Sequence, residues 1–254
     1  MAGTISSPPL LTIILAIGFG LEKLTPPYSL ESYWRNEQLG QPFLDGSQRR
    51  YLISGFGDGA LVDLCRLTIE RFRQDTIVYE LFPSGLERVE QRLCQEIEQR
   101  GRDANFFDLF TLLDNERPSL LDSAKQELRE RIRKDTRVTL HLRGRNAEIK
   151  TFDQIFGRHS SFLNRLLTYL LNRCGAFALD FAALDKAVET HNVAPANVLC
   201  RYGADTIAQL MELFTHSANK ARLEEMKEKQ EQRPERLWAP GVFKHYYSRC
   251  DQYD

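Results

Sequence analysis

The stretch YLISGFGDGALVDLCRL (Tyr51–Leu67) decides how this chain is read. An apolar run ends at Ser54, three glycines follow at Gly55, Gly57 and Gly59, and an amphipathic segment opens at Ala60. Glycine adopts backbone angles that side chains resist, and without a Cβ the main chain can approach a ligand closely. A helix that starts just after such a turn offers unpaired N–H groups and the positive end of its dipole to an anion. The flanks are those of a strand–loop–helix nucleotide site, with a plain tight turn as the alternative. Leu61, Leu64, Cys65, Thr68, Ile69 and Phe72 recur at helical spacing and predict a helix from Ala60 to Gln74.

Outward from this stretch, residues 10–17 predict a buried strand, joined to a second strand, RRYLISG, by a long connection with prolines at 26, 27 and 42. TIVYELF predicts a third strand, and Ser84 caps a helix running to about Arg100. A helix from Ser119, short strands in RVTLHL and AEIKTF, and the apolar helix SFLNRLLTYLLNRC follow. NVLCRYG reads as one more strand, and a long charged helix spans Asp205 to about Glu231. The pattern predicts an α/β fold, a Rossmann-like strand–glycine loop–helix core with a helix-rich C-terminal region. Residues 1–83 form the partial dinucleotide-binding core in this reading, and residues 84–254 the mostly helical region.

Bulk composition narrows the classes. The 254 residues are 42% apolar and 27% charged, ordinary for a globular protein. A net charge of −1 gives no field that would attract nucleic acid or an anionic membrane, so neither is an expected partner. The cysteines are far apart without a CxxC pair, which predicts reduced thiols and a cytoplasmic location. The apolar run Leu10–Leu21 is shorter than the ~20 residues a membrane span needs, and no basic residue precedes Lys23 as a secretory signal would require. The histidines are too dispersed for HxxxH or HExxH spacing, so no metal site is expected; His141 reads as a cross-strand side chain. No GxSxG elbow and no local Cys–His context supplies a nucleophile, and the catalytic residues stay unknown at this level.

Three families place glycines in this way. GFGDGA (Gly55–Ala60) matches the dinucleotide fingerprint GxGxxA, in which an acidic residue about 20 positions on, here Asp75 or Glu80, holds a ribose. YLISGFGDGALVDL with IVYELFPSGLERVEQRL resembles the first two segments of S-adenosylmethionine-dependent methyltransferases, which would give Glu80 the ribose hydroxyls. TIILAIGFG (with Gly18) followed by YLISGFGDG resembles the late FAD segment of flavoproteins with two dinucleotide-binding domains. That resemblance implies an FAD/NAD(P)-binding oxidoreductase-like protein, similar to the C-terminal part of such a flavoprotein and lacking the N-terminal GxGxxG. It covers about the first 75 residues and implies Asp58 as ligand of a ribityl hydroxyl, with Gly18, Gly55, Gly57, Gly59 and Ala60 lining the cofactor. FAD or NAD(P) is then the expected cofactor, with S-adenosylmethionine as the alternative. A further alternative is a non-enzymatic remnant acting as an interaction module. In it, FLNRLLTYLL would meet a partner chain or a second copy.

Overall fold

The computed structural model describes residues 27–28, 37–100, 105–142, 149–157, 160–203, 211, 214 and 216–231. The expected strand at 10–17, and Gly18 with it, lie outside these residues. Among the described residues four parallel strands, β1 (Arg49–Ser54), β2 (Thr136–His141), β3 (Ala178–Asp180) and β4 (Val198–Cys200), form one sheet in the order β3-β2-β1-β4. The helices are α1 (Asp58–Thr68), α2 (Ile77–Leu81), α3 (Glu87–Arg100), α4 (Phe106–Glu116), α5 (Asp122–Glu130), α6 (Phe162–Arg173), α7 (Leu184–Thr190) and α8 (Ser217–Glu231). The chain is therefore an α/β protein. β1 comes from the first expected region and β2, β3 and β4 from the second, so the sheet crosses the boundary at residue 83. Among the described residues no helix is long and apolar enough to cross a membrane.

Alternation along the strands explains the layers. Tyr51, Ile53, Val138, Leu140 and Leu199 face α1 and α6 in one large core, while Leu52, Val198 and Cys200 face Ala187 of α7 on the other side. Successive strand side chains point to opposite faces, so β1 and β4 serve both cores, while β2 gives its apolar side chains to the larger one. α1 lies between the sheet and α6, and Leu61, Leu64, Cys65 and Leu67 are fully buried. α6 is no exposed interface: Leu166, Leu167, Leu170 and Leu171 are fully buried in that same core. Asp114 of α4 ties the outer helices together, accepting from Lys125 of α5 (2.5 Å), Tyr169 of α6 (3.2 Å) and Arg173 of α6 (3.0 Å).

Several expected elements change. TIVYELF is a helix, α2, instead of a strand: Ile77, Val78 and Leu81 are buried one turn apart, and Thr76 donates to Glu80 four residues on. A short apolar run cannot be told from a buried helical turn by pattern alone. α1 ends at Thr68, short of Gln74, because Ile69 leaves it in extended conformation to bridge Ile132 and Arg71 takes a left-handed turn at φ 55°. α3 starts at Glu87 after a turn through Ser84 and Gly85, the latter at φ 84°. AEIKTF forms no strand over its described residues; Thr151 caps a 3-10 turn at Phe152–Phe156. The helix expected from Asp205 is described from Ser217, as α8.

Candidate functional site

The carboxyl edge of the sheet collects what the sequence keeps apart. β1 ends in Ser54, β2 in His141, β3 in Asp180, and Arg201 and Tyr202 follow β4. The Gly55 amide donates to the His141 carbonyl (3.1 Å) and the Arg201 amide to the Ser54 carbonyl (2.7 Å), carrying the ladder one step past both strands. Gly55 sits at φ 138°, and a Cβ there would stand 2.3 Å from the Arg201 carbonyl oxygen. Only glycine satisfies both conditions. Gly57 is the N-cap of α1 without a side-chain cap, and the first helical amide to find a partner is that of Leu61, on Gly57. The Gly59 amide therefore stands at a partly exposed helix start. Ala60 itself is fully buried against the core.

Asp58 opens α1 and faces α6. Its Oδ1 accepts from the Ser161 amide (2.7 Å) and from Asn164 Nδ2 (2.6 Å), so its carboxylate serves the N-terminus of a second helix. Among the described residues nothing donates to its Oδ2. The other expected acids stand elsewhere. Asp75 is exposed and paired with Arg73 (2.9 Å), and Glu80 lies on α2 and pairs with Arg131 (2.6 Å). No strand ends at either, so neither holds the strand-end position that a ribose ligand needs in the dinucleotide or methyltransferase pattern.

A polar line that sequence reading missed crosses the same edge. Tyr202 Oη lies 2.7 Å from Ser54 Oγ, Ser54 Oγ 2.7 Å from His141 Nδ1, and His141 Nε2 2.9 Å from the Ala182 carbonyl. The Ala182 amide in turn donates to Asp180 Oδ1 (2.7 Å), and Asp180 Oδ2 meets His191 Nε2 (2.8 Å). Burial works against ionisation of Asp180, but the Ala182 amide, His191 and His141 outweigh it and hold its carboxyl below the ordinary range. Ser54 and His141 are fully buried, while Tyr202 and His191 are partly exposed. The signal for this line was present: three apolar runs, YLIS, VTLH and VLCRY, each end in a hydroxyl, an imidazole or a phenol.

Beneath the glycine turn, Asp63 of α1 forms a buried ion pair with Arg201 (2.7 Å) and a second with Arg66 (3.0 Å). Burial pushes the Asp63 carboxyl up against the pull of both arginines. At the opposite, amino edge lies a cleft of about 1090 Å³, with Phe43, Arg66, Arg71, Arg73, Arg133 and Lys134 among its walls. Arg133 spends all five donors there: on the carbonyls of Leu39, Gln41 and Arg66, and on both oxygens of Asp135. This cleft and the glycine turn are thus at opposite ends of β1. Among the described residues no group of three or more His, Cys, Asp or Glu could hold a metal ion. No protein-family model, no curated protein and no solved structure matches the chain.

Proposed function

We infer that this protein binds a dinucleotide cofactor, FAD or NAD(P), across the carboxyl edge of its sheet and acts as an oxidoreductase-like protein. The observation that carries this reading is the strand order β3-β2-β1-β4, with the glycine turn directly after β1. This order of the described strands is compatible with the Rossmann pattern, in which the strands corresponding to β1 and β4 flank the topological switch point where open α/β sheets bind ligands. The phosphate half fits the residues present: an uncapped α1, with the Gly59 amide in its partly exposed first turn, suits a pyrophosphate. Asp58 Oδ2 is the oxygen a ribityl hydroxyl would meet, while Oδ1 keeps its bonds to α6. The ribose half of the dinucleotide pattern does not fit as usual, since His141 rather than an acid ends β2. A bound cofactor would supply hydride chemistry, and the chain supplies position and electrostatics.

The test is thermal unfolding with FAD, NAD⁺, NADP⁺ and S-adenosylmethionine, beside absorbance of the purified protein from about 350 to 500 nm. A ligand at 100 times its Kd stabilises the native state by about 2.7 kcal/mol. A rise in Tm with FAD or a nicotinamide dinucleotide, and none with S-adenosylmethionine, is the expected result. The reading fails if no dinucleotide moves Tm.

A further inference from the structure

We propose that Tyr202, Ser54 and His141 form a proton relay, in which the fully buried imidazole is the acid–base group of the carboxyl edge and the Tyr202 hydroxyl is its outlet. The direction of each bond follows from one fixed point. The Ala182 carbonyl can only accept, so His141 Nε2 carries a hydrogen. In the neutral imidazole Nδ1 is then the acceptor, and Ser54 donates to it. The single Ser54 hydrogen is thereby used, so Tyr202 donates to Ser54 Oγ. Every member is within reach for proton transfer, at 2.7 Å for both hydroxyl steps.

A proton arriving at Tyr202 Oη moves the chain one step. Tyr202 passes its own proton to Ser54, Ser54 passes its own to His141 Nδ1, and the imidazole becomes imidazolium with both N–H groups bonded. The reverse movement returns the proton. No electron changes hands, and each hydroxyl loses one O–H bond and gains another. Tyr202 is thus an acceptor toward the crevice when His141 is neutral and a donor when it is charged, which suits a ligand that gains or loses a proton as it binds or reacts.

The charged and titratable surroundings of His141 come from three sides. Asp180 at the end of β3 attracts the imidazolium, and His191 after α7 shares that carboxylate. Arg201 beside Tyr202 is held in its ion pair by Asp63 of α1.

The relay is read without any ligand, so its fate is separate from that of the cofactor reading. Long-range ¹H–¹⁵N spectra of histidine-labelled protein, taken from acid to alkaline pH, report tautomer, charge and exchange of His141, assigned with His141→Gln. The wild type is expected to show the Nε2–H tautomer and one averaged signal through its titration. In Tyr202→Phe the Ser54 hydrogen has no acceptor once His141 is charged. The midpoint should therefore fall by about one pH unit, a tenfold loss of proton affinity. Neutral and charged forms should then exchange slowly enough to give separate signals. Ser54→Ala should reproduce the slow exchange with the phenol intact, and the remaining signals of each spectrum verify folding. An Nδ1–H tautomer in the wild type, or Tyr202→Phe with an unchanged midpoint and exchange rate, overturns the relay.

Discussion

The two edges of the sheet are built from different chemistry. At the amino edge, Arg133 holds three carbonyls and a carboxylate, Arg131 holds the carbonyls of Glu70 and Arg71, and Arg49 lies 3.8 Å over the Phe43 ring. Charge there is spent on tying loops down. At the carboxyl edge the Asp63–Arg201 pair stays under the surface, and beside the glycine turn the partly exposed Tyr202 hydroxyl leads to a buried hydroxyl and imidazole. Groups whose bonds are all used are scaffold, whereas groups that can exchange a proton or accept an anion are available for chemistry. The cleft of about 1090 Å³ lies at the edge that is committed to structure.

The contrast can be broken at either edge, and the largest effect is expected at Gly55. Gly55→Ala must relieve both a left-handed backbone and a contact of 2.3 Å with the Arg201 carbonyl, at a cost of about 4 kcal/mol in urea unfolding. At the amino edge, Arg133→Met takes the side-chain donor from one buried and two part-buried carbonyls and leaves Asp135 with the Phe43 amide, and about 3 kcal/mol of stability should be lost. If Arg133→Met costs less than about 1 kcal/mol, the clasp is decorative and the amino edge is the one open to ligands.

Acid sharpens the same comparison. The bonds from Arg133 hold the Asp135 carboxyl below its ordinary range, so its contribution is complete at pH 7 and fades as pH falls through the folded pKa, below about 4. The stability gap between wild type and Asp135→Asn should be roughly 1.5 kcal/mol at pH 7 and should close towards pH 2. Equal gaps at both pH values would mean that Asp135 acts by shape alone. The smallest effect belongs to Leu44, 95% exposed on the loop beside the cleft: Leu44→Ser should change stability by less than about 0.5 kcal/mol.

These features were unequally legible in the sequence. β1, β2, α6 and β4 stand where apolar runs and periodicity put them, and α1 does so over its first three turns, because each buries a long or well-bounded apolar stripe. β3, three residues with no β-branched side chain, carried no such signal. α2 carried a misleading one, since IVYEL suits a strand as well as a helix until its neighbours are known. The glycine turn was visible because Gly55, Gly57 and Gly59 act locally. The Ser54–His141 and Ser54–Tyr202 contacts were not, since they join residues 87 and 148 positions apart and depend on parallel register alone. Nor could the sequence reveal that Asp58 turns towards Asn164, 106 positions away, because helix packing decides it.

Parallel register also has a consequence during synthesis. β1 is a central strand whose Leu52 pairs with Thr139 and Val198, so both of its neighbours are translated long after it. At about 5–20 residues per second, the ribosome needs roughly 7–30 s to travel from β1 to β4. Throughout that interval the nascent chain carries an apolar strand with two unpaired edges, and a holding chaperone has a defined target in YLIS.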